Sequence, residues 1–326
     1  MRFFAYHDRS DYDRHGVLVE GGMLSGRQLT KAGGLLKFWT YGHLPYLYGV
    51  KAYRKRIRRS VDRCLAQGER PGPLAGRRPG PAIRRPGKIV CIGLNYRDHA
   101  LEGGREAPDR PMLFAKFANA VIADGDPIVR PPGCHALDLE AELGVVIGRS
   151  ASHVAARDAM RHVAGYVVVN DISARDFQGS KPALREGERG DGQWLRAKGS
   201  DTFFPIGPVF VTADEFDGPP DLPIRSWRIP GRGPDAGTPI LMQESRTGNL
   251  VFDIPTLVEY VSAYIALEPG DIISTGTPAG VGVFRDPPVF LEPGDRVRVE
   301  IEGIGRVENP VIDWSPPPTD AAPSQR

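Results

Sequence analysis

Asp138-Leu-Glu-Ala-Glu-Leu-Gly-Val-Val-Ile-Gly148 and Gly165-Tyr-Val-Val-Val-Asn-Asp171 decide how this chain is read. Each is a short run rich in Val, Ile and Leu, bounded by Gly, Arg or Asp, which predicts two buried strands. Residues two apart on a strand share a face, so Glu140 and Glu142 fall side by side, roughly 6.5–7 Å apart along the backbone. Leu139, Ala141 and Leu143 take the opposite face. Neighbouring buried carboxylates repel, and burying them without compensation is costly. A hard divalent cation resolves that conflict, and Asp171, ending the second strand, offers a third oxygen donor. An isolated Glu-x-Glu more often lies on a solvated sheet face. The surrounding motifs reverse that reading.

Outward from these strands, residue 88 onward shows many short apolar runs separated by Gly, Pro and Asp: 88–93, 112–116, 143–147, 166–169, 203–211, 271–274 and 296–301. The last alternates with period two, as a half-buried strand does. Helical periodicity is confined to 155–162 and 256–266, where Leu257, Val258, Val261 and Ile265 form one stripe. Many strands with few helices predict an α+β, predominantly β domain rather than a doubly wound nucleotide fold. Residues 1–87 are expected to form a small N-terminal α/β domain with two strands, 2–6 and 16–20, and a helical region over 46–66. The segment 71–81 is so rich in Pro and Gly that it is read as a linker without regular structure. The catalytic domain is set at 88–312, and 313–326 is read as a disordered tail.

The formal net charge of +2 in 326 residues is too small to imply nucleic acid or membrane as a bulk partner, and neither is expected. The basic stretch 51–88 is read as a solvated helix and linker, since Pro and Gly interrupt its second half. Cys64, Cys91 and Cys134 show no C-x-x-C spacing and suit a reducing compartment as small buried hydrophobes. The N-terminus lacks a signal-peptide pattern and no apolar run approaches a membrane span, so a cytoplasmic protein is expected.

Four further clusters carry chemistry. His99 and Glu102 are three apart, neighbours on one turn of helix; on spacing alone a surface ion pair is the commoner reading, but a carboxylate there can also orient an imidazole to take a proton from water. Asn170-Asp171-Ile-Ser-Ala-Arg-Asp-Phe-Gln178 brings Arg175 and Gln178 as candidate contacts to a substrate carboxylate or carbonyl. Ser173 and Asp176 are read there as caps of a short helix. Lys198, steadied by Asp201, offers a donor to a developing oxyanion. Ser274-Thr-Gly-Thr277-Pro-Ala-Gly-Val-Gly282 reads as a carboxylate-binding loop, without the spacing or lysine of a phosphate P-loop. The remaining histidines have no ligand spacing.

Together and in this order, G-L-N-Y-x-x-H, L-D-x-E-x-E-L-x-V-V-I-G, G-Y-x-x-x-N-D-x-S-A-R-D-x-Q, K-x-x-D-T-F-x-P-I-G-P and G-D-I-I-x-T-G-T-P-x-G-V-G resemble the fumarylacetoacetate hydrolase family over about 88–311. The resemblance implies a mixed β-roll or sandwich preceded by a small N-terminal domain, and a homodimer. It implies Mg2+ or Mn2+, with Ca2+ also compatible, at Glu140, Glu142 and Asp171. His99 and Glu102 resemble the water-activating dyad of the acylpyruvate hydrolase branch, and Lys198 the family's oxyanion lysine. Arg175, Gln178 and Thr277 fall where members contact substrate. Gly199-Ser200 replace the aromatic or serine-aromatic pair that members often carry, and the charged, glycine-rich 179–192 is expected to form a mobile lid.

The expected substrate is thus a small dicarbonyl carboxylic acid. The expected reaction is metal-dependent hydrolysis of a carbon–carbon bond in an acylpyruvate or related 2,4-dioxo acid. Decarboxylation of oxaloacetate and isomerisation or decarboxylation of a hydroxymuconate-type acid are the alternatives, and a non-catalytic metal-binding scaffold is a third.

Overall fold

The computed structural model describes residues 1–7, 13–33, 51–190 and 192–316. Its centre is a ten-stranded sheet in which Val209–Thr212, Val163–Asn170, Ala141–Ile147, Ile272–Ser274 and Ile89–Gly93 follow one another in space, with Met112–Lys116 at the edge beyond. Neighbouring side chains on these strands enter two different cores. Val146, Val167, Ile272 and Cys91 join one cluster, whereas Val145, Val168, Ile273 and Val90 join another. A sheet covered on both faces needs apolar residues at every position, which is why these strands read as continuous runs rather than alternating ones.

A second, five-stranded sheet carries Arg296–Ile301 at its middle, with every second residue buried, as the alternation requires. The helix Ile254–Tyr264 buries Leu257, Val258 and Val261 against one core. Asp253 caps it by accepting from the Thr256 amide at 2.9 Å, and Pro255 stands in its first turn, where no amide is required. The result is a predominantly β, α+β fold.

Several expectations change in detail. The run 203–211 is two strands, Phe204–Pro205 and Val209–Thr212, because Gly207 and Pro208 separate them. The segment 71–81 is not devoid of structure: Gly72 bridges Met23, and Arg78–Pro79 pairs with Tyr6 and His7. Nor do the N-terminal strands form a sheet of their own. Arg2–His7 pairs antiparallel with Val209–Thr212, so the strands Arg2–His7, Asp13–Val19 and Gly22–Ser25 extend the large sheet. The helix expected over 46–66 runs Lys51–Ala66, with 46–50 outside the described residues. Its Arg58 reaches Asp214 and Glu215 at 3.0 and 3.2 Å, tying it to the sheet. Of the expected tail, Asp313 still belongs to a strand and 317–326 lie outside the described residues. Among the described residues no helix is long and apolar enough to cross a membrane.

Candidate active site and its carboxylate centre

The central strands deliver the candidate residues to one edge of the large sheet. Ala141–Ile147 begins there, while its antiparallel neighbours Val163–Asn170 and Ile272–Ser274, and then Ile89–Gly93, end there. Ala141 pairs with Asn170, so the residues just beyond, Glu140 and Asp171, face each other, and the Asp171 amide donates to the Glu140 carbonyl at 2.9 Å. Glu140 therefore precedes the strand rather than lying within it. The chain bends there, sending Leu139 to a different core from Ala141 and Leu143.

Glu140, Glu142 and Asp171 are all buried, and each offers an oxygen within 4.8 Å of the others. Such a set suits a hard divalent cation, being all carboxylate, with no thiol or imidazole. The three free cysteines are buried and belong to no such group among the described residues.

The charges around this centre are unequal. Burial pushes the Glu142 carboxyl well above its ordinary value, and the charges of Asp171 and Glu140 push it further, outweighing the Ser274 Oγ donor at 2.5 Å and the Lys198 charge that oppose them; the Gly276 amide also donates to it at 3.0 Å. Burial also raises Glu140, but Lys198 and Arg175 more than offset it and hold the carboxyl at about 2. Lys198 Nζ donates to Glu140 Oε2 at 2.7 Å and Asp171 Oδ2 at 3.1 Å. Burial alone would lower that ammonium's pKa; its two carboxylate partners raise it instead, so it stays charged.

Beside the centre, the short helix Arg97–Glu102 places His99 Nδ1 2.7 Å from Glu102 Oε1. Among the described residues Nε2 has no hydrogen-bonding partner, and the ring lines the cavity. Leu94, just upstream and also lining it, sits at φ 53, a conformation a leucine adopts only at a cost of about 1–3 kcal/mol. The cavity measures about 690 Å³ and is walled by Phe114 and Trp194, whose rings meet edge to face at 5.4 Å.

Of the residues expected from sequence, His99, Glu102, Glu140, Glu142, Arg175, Gln178, Lys198 and Thr277 line this one cavity, and Asp171 lies buried against it. Arg175 is engaged by the protein itself: Nε to Asp138 at 2.9 Å, Nη2 to Glu140 at 2.7 Å, Nη1 to Gln178 at 3.1 Å. Thr277 donates to the Ala141 carbonyl at 3.0 Å and accepts from Gln243 at 2.7 Å.

Asp201 does not belong to the site. The helix Trp194–Gly199 has ended, Thr202 turns at φ 70, and Asp201 faces solvent, accepting from Asn119 at 2.7 Å. Glu140 and Asp171 hold Lys198 in its stead. Asp176 is likewise not a helix cap by its side chain; it accepts from the backbone of Phe177 at 3.0 Å and of His135 at 2.8 Å.

The glycine-rich loop does bind carboxylates, but they are the protein's own. Gly276 N–H donates to Glu142, Gly280 N–H to Glu102 at 2.8 Å, and Gly282 N–H to Asp138 at 2.8 Å. Its backbone orients Glu142 of the carboxylate centre, the partner of His99 and the partner of Arg175.

Lys116 was not anticipated. It is fully buried, lies 2.7 Å from Asp171 Oδ1, and donates to the carbonyls of Ile172 at 2.9 Å, Phe203 at 2.7 Å and Lys198. The available signal was a lysine closing an apolar strand with no acid near it in sequence; its partners lie far along the chain.

The comparisons with known proteins agree with this geometry. The family model for the C-terminal domain of fumarylacetoacetate hydrolase matches residues 88–312. A mitochondrial oxaloacetate tautomerase of Bos taurus is 46% identical over 230 residues, covering 71% of this chain and 68% of the relative. Fumarylacetoacetate hydrolase from psychrophilic Exiguobacterium antarcticum superposes with TM-score 0.74 at 30% identity, over 96% of this chain and 100% of that one. A 5-carboxymethyl-2-hydroxymuconate delta-isomerase from Mycobacterium smegmatis gives TM-score 0.68 at 31% identity, with 96% and 100% covered. With its motifs, its fold and these likenesses in register, this chain belongs to the fumarylacetoacetate hydrolase family.

Proposed function

We propose that the chain catalyses divalent-cation-dependent proton transfer at the carbon next to a 2-oxo group, tautomerising or isomerising a 2-oxo acid of the oxaloacetate or hydroxymuconate kind. The observation that carries this reading is the His99–Glu102 pair beside the buried carboxylate centre, with Nε2 left to the cavity. The names of two of these proteins, the tautomerase at 46% identity and the delta-isomerase, favour proton transfer over the carbon–carbon hydrolysis expected first, while the fumarylacetoacetate hydrolase at 30% identity keeps hydrolysis as the second reading.

Glu140, Glu142 and Asp171 would hold a divalent cation, Mg2+ or Mn2+ by the hardness of its donors, which supplies Lewis acidity toward charge developing on the 2-oxo oxygen. Glu102 fixes the imidazole so that Nε2 takes a proton from the adjacent carbon. The C–H electron pair becomes the C=C bond as the C=O π pair moves onto oxygen, and the imidazolium returns its proton to that oxygen, or to carbon in the reverse direction. The Lys198 ammonium, fixed and charged, adds a second positive group beside the centre. The rings of Phe114 and Trp194 wall the cavity beside that path.

Hydrolysis of an acylpyruvate is the second reading, since the same oriented imidazole can deprotonate water. Products separate the two. Following enol absorbance and products with oxaloacetate and acetylpyruvate, with Mg2+ and with chelator, should show chelator-sensitive enol–keto interconversion. Release of acetate and pyruvate from acetylpyruvate, with no acceleration of oxaloacetate tautomerisation, would instead establish the hydrolase.

A further inference from the structure

The cations lining the cavity fall into two sets. Lys198 and Arg175 are buried, and both are taken up by Glu140, Asp171, Asp138 and Gln178. Both are fixed by these partners at the carboxylate centre. Arg105 and Lys181 also line the cavity, but are exposed, and among the described residues neither makes an ion pair or side-chain hydrogen bond.

These two come from separate segments with anchored backbones. The Arg105 amide donates to the Ala100 carbonyl at 2.9 Å, which ties it to the helix bearing His99. Lys181 starts the turn Lys181–Ala183, held by the Ser180 amide on the Arg175 carbonyl at 3.0 Å and by His135 Nε2 on the Ala183 carbonyl, also 3.0 Å. Each therefore presents a flexible cationic side chain from a fixed base at the cavity's solvent side.

We propose that Arg105 and Lys181 together receive the second carboxylate of a 2-oxo dicarboxylate and so select diacids over monoacids. The proposal rests on the reading of the site given above, and names the substrate class that the site prefers. Unpaired cations beside a low-dielectric cleft raise the local concentration of anions, and an arginine offers a planar fork to a carboxylate. Being exposed, each is worth less than a buried donor.

Two arms test it. In the first, deuterium exchange at C3 is followed by NMR for oxaloacetate and for 2-oxobutanoate, using Mg2+-loaded wild type, Arg105→Ala, Lys181→Ala and the double variant. Each single change should raise KM for oxaloacetate roughly 5- to 10-fold, and the double about 30-fold or more, with kcat and the 2-oxobutanoate constants unchanged. Salt should also weaken wild-type kcat/KM for oxaloacetate more than that of the double variant. In the second arm, calorimetry compares malate with 2-hydroxybutanoate, neither of which enolises; only malate should lose affinity in the double variant. Equal shifts for diacid and monoacid, or none, would overturn the clamp. Absence of exchange in wild type would overturn the reading of the reaction, while the malate comparison would still decide the clamp.

Discussion

Lys116 and Lys198 belong to one charge network but do different work. Both approach Asp171, Lys116 at Oδ1 and Lys198 at Oδ2. Lys116 is not among the residues lining the described cavity and donates to the backbone carbonyls of Ile172, Lys198 and Phe203, so it is a positioning residue. Lys198 lines the cavity, with Phe114's ring 5.0 Å from its ammonium. Breaking a buried ion pair by removing one partner costs about 3–5 kcal/mol, and Lys116→Met also strands the carbonyls. That variant should show a large drop in its urea midpoint. Lys198→Ala should keep near-native far-UV circular dichroism but lose at least ~100-fold in turnover, the usual consequence of losing one such donor. Wild-type turnover in Lys198→Ala, or an unmoved midpoint in Lys116→Met, would show these assignments to be mistaken.

The loop after Ile272–Ser274 shows where sequence stops informing. Its glycines announced backbone close to anions, but not whose. The anions are Glu102, Glu142 and Asp138, far away in sequence and brought together only by the sheet. Glu140, Glu142, Asp171, His99 and Lys198 were legible because their motifs are local and their chemistry is distinctive. Lys116 and the exclusion of Asp201 were not, since each depends on where remote backbone runs. The division of the core between two faces likewise explains the apolar runs but cannot be assigned residue by residue from them. Gly280 tests the loop. It holds φ 104, and a Cβ there would stand 2.2 Å from the Met242 carbonyl oxygen. Gly280→Ala should therefore shift the loop, release Glu102 from its amide donor, and disturb the His99 pair. The pH profile of kcat should move, as well as its magnitude; an intact profile with only lowered stability would mean that the loop merely packs.

Coupling between the carboxylate centre and global stability follows from the opposed shifts of its acids. Glu142 titrates well above its ordinary 4.5 in the folded protein, through burial and then the charges of Asp171 and Glu140. The folded state thus binds that proton more tightly than the unfolded chain, and stability falls as pH rises from about 4.5 through the raised folded value. Glu140 has the other sign: held at about 2, it contributes stability that is present above its ordinary 4.5 and lost as pH falls toward 2. A divalent cation needs Glu142 deprotonated, so its binding should release a proton and strengthen as pH rises. At ~100-fold excess over Kd a ligand confined to the folded state adds about 2.7 kcal/mol. The melting temperature with Mg2+ minus that with chelator should therefore grow with pH across the window in which Glu142 titrates. In Glu142→Gln, which carries no proton to lose, that growth should vanish and calorimetry in buffers of different ionisation enthalpy should show proton release suppressed. A metal-dependent shift that stays flat with pH in the wild type would separate Glu142 from the cation and leave its raised pKa a matter of burial alone.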